Sequence, residues 1–299
     1  MLIIHTIAEL RAKLKCEPNV GFVPTMGNLH AGHIHLVDLA RQHANFIVVS
    51  IFVNPLQFSP NEDLSAYPRT LSADYAKLET VGCDIVFVPN TDEMYGPISE
   101  NNLDGEKFNQ SMTIQPPPIA NVLCGATRLS HFAGVATVVM KLFNIVFYNT
   151  VQPNIAVFGK KDFQQLFIIK QMVAQFNLPI KIIAGETIRE ANGLALSSRN
   201  GYLNELQRVS ASQLNSALQG LVIKIKNGES NFKQLEETAS TLLSQQGWEV
   251  DYISIRSTHT LQNASAQDRD LVVLGAAKIT NKTGARTRLI DNLEFHISN

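Results

Sequence analysis

The fold of this chain is decided by one stretch, Val20-Gly21-Phe22-Val23-Pro24-Thr25-Met26-Gly27-Asn28-Leu29-His30-Ala31-Gly32-His33. The apolar run at its start predicts a buried strand, and the periodic apolar residues of 34–43 predict a helix directly after it. A turn that contains glycine joins the two elements and brings two histidines to the start of the helix. Amides at a helix start are unpaired within the helix and the dipole there is positive, so we predict a phosphate site at this turn.

The two histidines of this turn allow three interpretations. His30 and His33 share one face if the helix has begun, and two imidazoles beside an anion site suit nucleotide phosphates. A histidine at a helix start is also commonly a cap, and the turn itself can be an ordinary tight turn. A zinc site that adds His35 is disfavoured, because His33 and His35 point to different helix faces and no Cys-x-x-Cys or His-Glu-x-x-His accompanies them. We therefore predict no metal site built from protein ligands.

The composition is that of a globular protein with a sizeable core. The chain has 299 residues, of which 45% are hydrophobic and 17% charged. Its formal net charge of −1 favours no nucleic-acid partner. Three cysteines far apart suit free thiols in a reducing compartment. The longest apolar stretch is too short for a bilayer and the N-terminal one too short for a signal peptide, so we expect a cytoplasmic protein without a membrane partner.

Apolar strands alternate with helical patterns in the first part of the chain. Strands are predicted at 20–23, 46–53, 84–88, 154–158 and 180–184, and helices at 34–43, 71–81, 131–146 and 162–176. This alternation predicts an α/β fold with a Rossmann-like parallel sheet covered on both faces. Ligands bind at the carboxyl ends of such strands, where the loops at 24–33, 54–58 and 159–162 lie.

A smaller second domain is predicted after residue 186. A loop at 191–200 leads to helical patterns at 205–227 and 231–246, followed by strands at 249–256, 271–277 and 287–291. These elements predict an α+β C-terminal domain over 187–299, with the Rossmann-like domain over 1–186. Two segments, 98–112 and 147–150, have the character of surface insertions.

Polar residues in the predicted loops supply the candidate chemistry. Gln57 and Gln165 carry uncharged amides that can hold a hydroxyl or a carboxylate. Lys161, in the turn Gly159-Lys160-Lys161-Asp162, carries a mobile charge that suits a polyphosphate. The segment Leu196-Ser197-Ser198-Arg199-Asn200 offers hydroxyls and a guanidinium for phosphate oxygens. Gln57, Gln165 and Lys160 are each more commonly solvated surface residues when taken alone, and the serines of the last segment can simply cap turns. The shared position of Gln57, Gln165 and Lys161 at one sheet edge favours a site, whereas for Lys160 solvation is the better explanation.

Five blocks, in order along the chain, carry a family resemblance. They are Met26-Gly27-Asn28-Leu29-His30-Ala31-Gly32-His33, Ser50-Ile51-Phe52-Val53-Asn54-Pro55-Leu56-Gln57-Phe58, Tyr67-Pro68-Arg69-Thr70, Lys161-Asp162-Phe163-Gln164-Gln165 and Leu194-Ala195-Leu196-Ser197-Ser198-Arg199-Asn200-Gly201-Tyr202. Together they resemble the pantothenate synthetases, also called pantoate–β-alanine ligases, and the resemblance covers essentially the whole chain. That family belongs to the nucleotidylyltransferase superfamily, in which a His-x-Gly-His signature handles ATP.

The resemblance implies a reaction and its partners. Pantoate and β-alanine would be condensed to pantothenate, in the coenzyme A pathway, at the expense of ATP. The carboxylate would first form a pantoyl adenylate with release of pyrophosphate, and the β-alanine amine would then release AMP. The resemblance also implies Mg²⁺ with ATP, a homodimer, and a C-terminal domain that closes over ATP.

The resemblance further implies roles for single residues. The catalytic residues would be His30, His33, Lys161, Ser197, Ser198 and Arg199. ATP would be bound by Met26, Gly27, Asn28, Leu29, His30, Ala31, Gly32, His33, Gly159, Lys160, Lys161, Asp162, Ile188, Leu196, Ser197, Ser198 and Arg199. Gln57 and Gln165 would bind pantoate, with Gln57 also near β-alanine. His33 corresponds to the proton donor of the family; donation of a proton and stabilisation of charge both remain open.

Two departures from the family pattern fall near the expected site. The family commonly has Gly-Glu-Lys-Asp at residues 159–162, so Lys160 replaces a carboxylate by an ammonium group. The family's Glu-Gly-x-x-Arg-Pro-Gly-His-Phe is here Cys124-Gly125-Ala126-Thr127-Arg128-Leu129-Ser130-His131-Phe132, which keeps Arg128 and His131. The first departure changes the local field, and the second changes the loop near the pocket.

Two functions of other classes compete with the ligase. One is a nucleotidylyltransferase that moves AMP onto a phosphate-bearing acceptor. It is disfavoured because Gln57 and Gln165 are uncharged, whereas a phosphate acceptor calls for cations. The other is an ATP-binding regulatory module, which would bind nucleotide without turnover.

Overall fold

The computed structural model describes residues 1–58, 64, 67–97, 109–281 and 283–298, so 98–108 of the predicted insertion at 98–112 lies outside the described residues. The chain separates into two compact units. The first comprises Met1–Gly159 and Gln165–Gly185, and the second comprises Lys160–Gln164 and Glu186–Asn299. The domain boundary expected after residue 186 stays a prediction.

A parallel sheet forms the centre of the first unit. Its strands are β1 (Leu2–Ile4), β2 (Val20–Thr25), β3 (Phe46–Ile51), β4 (Ile85–Phe87), β5 (Asn154–Gly159) and β6 (Ile180–Gly185). They are ordered β1-β4-β3-β2-β5-β6, and every pair is parallel. The direction in which successive strands are added reverses between β2 and β5. In open sheets of this type, ligands bind at the carboxyl ends of the strands beside that reversal.

Helices cover this sheet on both faces. They are α1 (Ile7–Leu14), α2 (Ala31–Arg41), α3 (Leu71–Thr80), α4 (Thr91–Tyr95), α5 (Cys124–Thr127), α6 (His131–Val146) and α7 (Phe163–Gln175). Phe22 of β2 belongs to the buried cluster that contains Val139 of α6. Its neighbour Val23 belongs to the cluster that contains Val37 of α2 and Leu78 of α3. The alternation of side chains along β2 thus buries both faces of the strand, which is why it is apolar throughout.

The second unit combines helices with an antiparallel sheet. Its helices are α8 (Glu205–Ala211), α9 (Gln213–Lys226) and α10 (Phe232–Gln245), and its strands are β7 (Glu249–Ser257), β8 (Asp270–Thr280) and β9 (Arg286–His296). The strand order is β7-β8-β9. Leu214 and Leu218 of α9 share a buried cluster with Val273 and Ala277 of β8. The α/β fold class, with a Rossmann-like sheet and a smaller α+β part, is confirmed.

One local prediction was wrong, one was correct only in part, and two elements near the start of the chain were missed. β1 and α1 were not predicted, because three strand residues give too short a pattern to recognise. The single helix predicted at 205–227 is interrupted at Ser212, whose amide donates to Val209 O at 3.2 Å in a tightened turn. The segment predicted as a surface insertion at 147–150 is only partly so: the Phe147 ring packs edge-on against Phe22 at 6.1 Å between centroids.

Candidate active site

Two consecutive residues with positive φ bend the chain between β2 and α2. Gly27 has φ +83° and Asn28 has φ +51°, a region that glycine enters freely and asparagine tolerates. A Cβ on Gly27 would lie 3.0 Å from Ile51 Cγ2 and 3.2 Å from Asp74 Oδ2. The bend places His30 at the N-cap of α2.

Hydrogen bonds orient both histidines of the turn. His30 Nδ1 accepts from the Gly32 amide at 3.1 Å, and His33 Nδ1 accepts from the His30 amide at 3.3 Å. The two rings lie 4.1 Å apart between centroids, tilted by 37°. A ring nitrogen that accepts carries no hydrogen, so this pattern assigns the proton of each neutral ring to Nε2. The turn therefore holds two Nε2–H donors side by side.

A buried carboxylate that was not predicted supports the turn from α3. Asp74 Oδ2 accepts from the Asn28 amide and Oδ1 from the Leu29 amide, each at 2.8 Å. Thr70 Oγ1 also donates to Oδ2 at 3.1 Å. An aspartate in an amphipathic helix is ordinarily read as solvent-facing. The signal that could have found it is its spacing of four residues from Leu78, which puts both on the buried face.

Six amides of this turn donate within the protein, which corrects for them the prediction that the amides are unpaired and open to phosphate. Besides the two bonded to Asp74 and the two bonded to imidazoles, the Gly27 amide donates to Thr25 Oγ1 at 3.2 Å and the His33 amide to His30 O at 2.8 Å. Side chains of the turn form a capping arrangement that satisfies donors a bare helix would leave unpaired. A phosphate here therefore depends on the imidazoles rather than on these amides.

Gln57 is held in a buried polar network rather than on a solvated loop. It is 8% exposed. Its Oε1 accepts from Asn54 Nδ2 at 3.1 Å, and its Nε2 donates to Met26 Sδ at 2.9 Å. Asn54 Oδ1 accepts from the Tyr95 hydroxyl at 2.6 Å, and burial raises the pKa of that phenol, so it stays a donor. This chain of bonds fixes which end of the Gln57 amide faces Met26.

The start of α6 holds the main chain around Gln57. Arg128 Nη1 lies 2.9 Å from His131 Nε2, and His131 Nδ1 lies 2.8 Å from Gln57 O. Since arginine only donates, His131 Nε2 accepts and Nδ1 donates to the carbonyl. Gly134 approaches closely too, because a Cβ there would lie 2.2 Å from Leu56 O. Arg128 and His131, which the sequence retains from the family pattern, thus act on the backbone that carries Gln57.

A cavity of about 260 Å³ lies beside the turn. Met26 and Gly27 line it, together with Arg69 and residues that follow β3 and β4. Arg69 is exposed, and its guanidinium forms no hydrogen bond or ion pair within the described part of the chain. The cavity runs along the carboxyl edge of the sheet, from the turn to the residues that follow β3 and β4.

In the second unit, Lys160 is ion-paired rather than solvated. Its Nζ lies 2.6 Å from Glu186 Oε1 and 2.7 Å from Glu294 Oε2. Burial alone would lower the pKa of Lys160, but the hydrogen bonds and charges of the two carboxylates raise it above its ordinary value. Asn292 Nδ2 donates to the carbonyls of Lys160 and Lys161 at 3.0 and 2.9 Å. The positive charge of Lys160, where the family pattern has a carboxylate, is therefore balanced by the carboxylates of Glu186 and Glu294.

The segment that carries the candidate hydroxyls follows a tight loop in the second unit. The Leu196 amide donates to Ile188 O at 2.9 Å and so closes this loop. Arg189 makes two hydrogen bonds to the Asp291 carboxylate, at 2.7 and 2.9 Å, and Asn215 Nδ2 donates to the same carboxylate at 2.9 Å. Asp291 is 4% exposed, so an ion pair between a buried carboxylate and a part-buried guanidinium fixes the base of the loop.

Ser197 caps the 3₁₀ helix Ser198–Tyr202. Its Oγ accepts from the Arg199 amide at 3.2 Å, which leaves its O–H as a donor. The guanidinium of Arg199 and the ammonium of Lys161 make no hydrogen bond or ion pair with any residue that the structure describes. These two cations differ from Lys160 in that respect.

The predicted site residues are thus partly brought together. Within the first unit, His30 lies against His33 and Met26 against Gln57. Gln165 is half-buried in the first turn of α7, and its amide has no hydrogen bond among the described residues. The ATP residues predicted up to Gly159 fall in the first unit, and those from Lys160 to Asp162 and from Ile188 to Arg199 fall in the second.

Two absences among the described residues concern metals and membranes. No group of three or more His, Cys, Asp and Glu side chains among them could hold a metal ion. None of the helices they form is long and apolar enough to cross a membrane.

Comparisons with known proteins agree over the length of the chain. The family model described as pantoate-beta-alanine ligase matches residues 2–294. The pantothenate synthetase of Methylobacillus flagellatus is 59% identical over 99% of both chains, and that of Thiobacillus denitrificans is 50% identical over 98% of this chain and 97% of its own.

Solved structures agree as well. The pantothenate synthetase of Thermus thermophilus has a TM-score of 0.85 at 40% identity, covering 98% of this chain and 99% of its own. The pantoate-beta-alanine ligase of Francisella tularensis, complexed with beta-gamma ATP and beta-alanine, has a TM-score of 0.74 at 32% identity, covering 98% of this chain and 97% of its own.

Proposed function

Because this chain belongs to the pantoate–β-alanine ligase family and catalyses the ATP-dependent joining of pantoate to β-alanine, we propose that it does so through a pantoyl adenylate formed at the turn after β2. The observation that carries this proposal is the pair of imidazoles, His30 and His33, whose Nδ1 atoms are held by backbone amides. Each neutral ring thereby carries its hydrogen on Nε2, the atom from which it can donate to a substrate oxygen.

In the first step, a carboxylate oxygen of pantoate forms a bond to the α-phosphorus of ATP, and the bond from that phosphorus to pyrophosphate breaks. Negative charge grows on the phosphate oxygens during this step. His30 and His33 donate Nε2–H to those oxygens from positions set before the reaction, which lowers the barrier without reorganisation. His33 acts as a hydrogen-bond donor and is the candidate proton donor to the leaving group.

Pantoate binds against Gln57, with Gln165 as its second amide ligand. In the protein alone, Gln57 Nε2 donates to the Met26 sulfur at 2.9 Å, and a thioether is a weak acceptor. A carboxylate or hydroxyl oxygen of the acid is a stronger acceptor and replaces the sulfur. Asn54 meanwhile holds Gln57 Oε1, so the amide offers donors to the acid rather than its oxygen.

In the second step, the amine of β-alanine attacks the acyl carbon of the adenylate. The C–N bond forms, the bond from the acyl carbon to the AMP oxygen breaks, and the amine loses a proton to water or a nearby base. Adenylation supplies the leaving group that a free carboxylate lacks. The enzyme contributes mainly by aligning the amine with the acyl carbon, with Gln57 near it.

Residues of the second unit bind the nucleotide. Lys161, Ser197, Ser198 and Arg199 supply charge and hydroxyl donors to phosphate oxygens. The other ATP contacts come from Met26, Gly27, Asn28, Leu29, Ala31, Gly32, Gly159, Asp162, Ile188 and Leu196. Lys160 contributes through its backbone, since its ammonium is paired with Glu186 and Glu294.

Magnesium accompanies ATP and neutralises phosphate charge when bound. We propose that substrate phosphates and water supply most of its ligands. We further propose that the protein is cytoplasmic. We also propose that it works as a homodimer, and analytical ultracentrifugation would test that oligomeric state.

The decisive experiment measures AMP from ATP, pantoate and β-alanine, omitting each in turn. Pyrophosphate exchange into ATP should require pantoate and proceed without β-alanine, and free AMP should appear when β-alanine is added. Exchange that requires β-alanine would refute the free adenylate. Exchange driven by a phosphate-bearing acceptor would favour a nucleotidylyltransferase, and nucleotide binding without turnover would favour a regulatory module.

A further inference from the structure

Asp74 stands at a position where simple electrostatics opposes the reaction. Its carboxylate contacts the amides of Asn28 and Leu29, within the turn that we assign to a triphosphate. A fixed negative charge next to such a site repels the nucleotide. The side chain is fully buried, with 0% exposure, so water does not screen it as it screens a surface carboxylate.

The hydrogen bonds of Asp74 show what the carboxylate provides in return. Its two oxygens accept two diverging amides at 2.8 Å each, and a third bond from Thr70 orients the group. The Lys77 ammonium, three residues further along α3, holds the same turn at 2.6 Å from Leu29 O. The amides so held flank the positive-φ bend at Gly27 and Asn28. An isosteric amide at position 74 would keep one acceptor oxygen and set its NH₂ against the second amide.

We propose that Asp74 is a positioning residue for adenylation, which holds the bend before α2 so that His30 and His33 meet the phosphates in the reactive geometry. This inference rests on the proposed role of the two imidazoles. Asp74 also removes two amides from the set that could bind phosphate, so the turn recognises the nucleotide through imidazole donors. The carboxylate need not touch ATP for either effect.

The Asp74→Asn variant separates positioning from electrostatics, because the two predict opposite signs. If the charge acts only through space, its removal tightens ATP binding and leaves adenylation intact or faster. If Asp74 positions the turn, the variant loses pantoate-dependent pyrophosphate exchange by on the order of 10-fold to 100-fold. ATP affinity then falls or stays level, and it does not rise.

A matched control comes from the other end of the same sheet. Asp84 Oδ2 accepts the Ile47 amide at 2.8 Å. Asp84→Asn is therefore the same chemical change, made on a carboxylate that holds an amide of β3 instead of amides of the turn. This control should keep exchange within about 2-fold of the wild type. A second readout is transfer from supplied pantoyl adenylate to β-alanine, which Asp74→Asn should slow by less than about 3-fold, since adenylation is bypassed.

The outcomes are distinguishable. Wild-type exchange together with tighter ATP binding in Asp74→Asn overturns the proposal, and so does equal slowing of both half-reactions, which indicates general damage to the fold. If Asp74→Asn does not fold, Thr70→Val keeps the carboxylate and removes one bond to it; it should slow exchange by roughly 3-fold to 10-fold, and an unchanged rate overturns the proposal. Failure of the wild type to adenylate pantoate would instead refute the proposed function.

Discussion

The turn after β2 and the segment from Ile188 to Arg199 serve the same nucleotide in our proposal, but they are built differently. In the turn, the reactive imidazoles themselves take part in the hydrogen bonds that hold the backbone. In the second segment, a separate ion pair between Arg189 and Asp291 holds the base, and the tip of Arg199 has no partner among the described residues. We infer that the turn is preorganised for the chemical step, whereas the segment keeps its side chains available for binding.

The largest effect is expected when the ion pair between Arg189 and Asp291, at the base of the second segment, is removed. Asp291→Ala removes the buried carboxylate that pairs with the part-buried Arg189 guanidinium and should lower the free energy of unfolding by about 3 kcal/mol. Trp248, the single tryptophan of the chain, is 4% exposed in this unit, so its fluorescence during urea unfolding reports the change. Glu249→Ala, which removes a half-exposed partner of Lys278, is the control and should cost less than about 1 kcal/mol. Equal losses of unfolding free energy in the two variants would mean that the Arg189–Asp291 pair does not stabilise the base of the segment.

The next effect tests whether the turn acts on rate. His33→Ala should slow single-turnover adenylation about 10²-fold to 10³-fold, the scale of losing one preorganised donor. ATP affinity should change far less, because the loss falls on the transition state. His35→Ala, two residues along the same helix, should leave adenylation near the wild-type rate. Near-normal adenylation by His33→Ala would remove this imidazole from the mechanism.

A smaller effect distinguishes the binding of pantoate from the binding of ATP in the first unit. Gln57→Ala should raise KM for pantoate roughly 10-fold, the value of one lost hydrogen bond to a charged acceptor. KM for ATP should remain near the wild-type value, since Asn54 keeps its bond to Gly134 O at 3.2 Å and supports the local fold. Steady-state kinetics with each substrate varied in turn would show this, and equal increases for both would contradict the role of Gln57.

The smallest effect compares two adjacent lysines of the second unit. Lys160→Met should change KM for ATP by less than about 3-fold and the free energy of unfolding by less than about 1 kcal/mol, because its ion pairs are partly solvent-exposed. Lys161→Met should raise KM for ATP about 10-fold, since a charge-assisted bond to phosphate is lost. A reversed order of the two variants would assign the nucleotide contact to Lys160.

Much of the fold could be predicted because its strands are apolar on both faces and its helices are long. α6, for example, coincides with the helix predicted at 131–146. Short elements such as β1 lack a readable period, and the break at Ser212 arises from a local turn that the apolar pattern of α8 and α9 does not show.

The candidate site was less predictable, because its geometry depends on contacts between distant residues. The histidines were found from their place after a strand, but the fate of the amides depended on Asp74, more than forty residues away along the chain. The partners of Lys160 are likewise remote, since Glu294 lies at the far end of the sequence. Hydrogen-bond satisfaction of a loop is a tertiary property, and local spacing alone does not contain it.

The close approach of Gly134 to Leu56 has a consequence for changing the acid that the enzyme accepts. The contact joins two main chains, because a Cβ on Gly134 would come within 2.2 Å of Leu56 O. No choice of rotamer relieves such a contact, so the main chain that carries Gln57 does not yield to larger residues at position 134. Libraries intended to admit bulkier hydroxy acids should therefore keep this glycine and vary Met26, whose flexible thioether lies against the Gln57 amide.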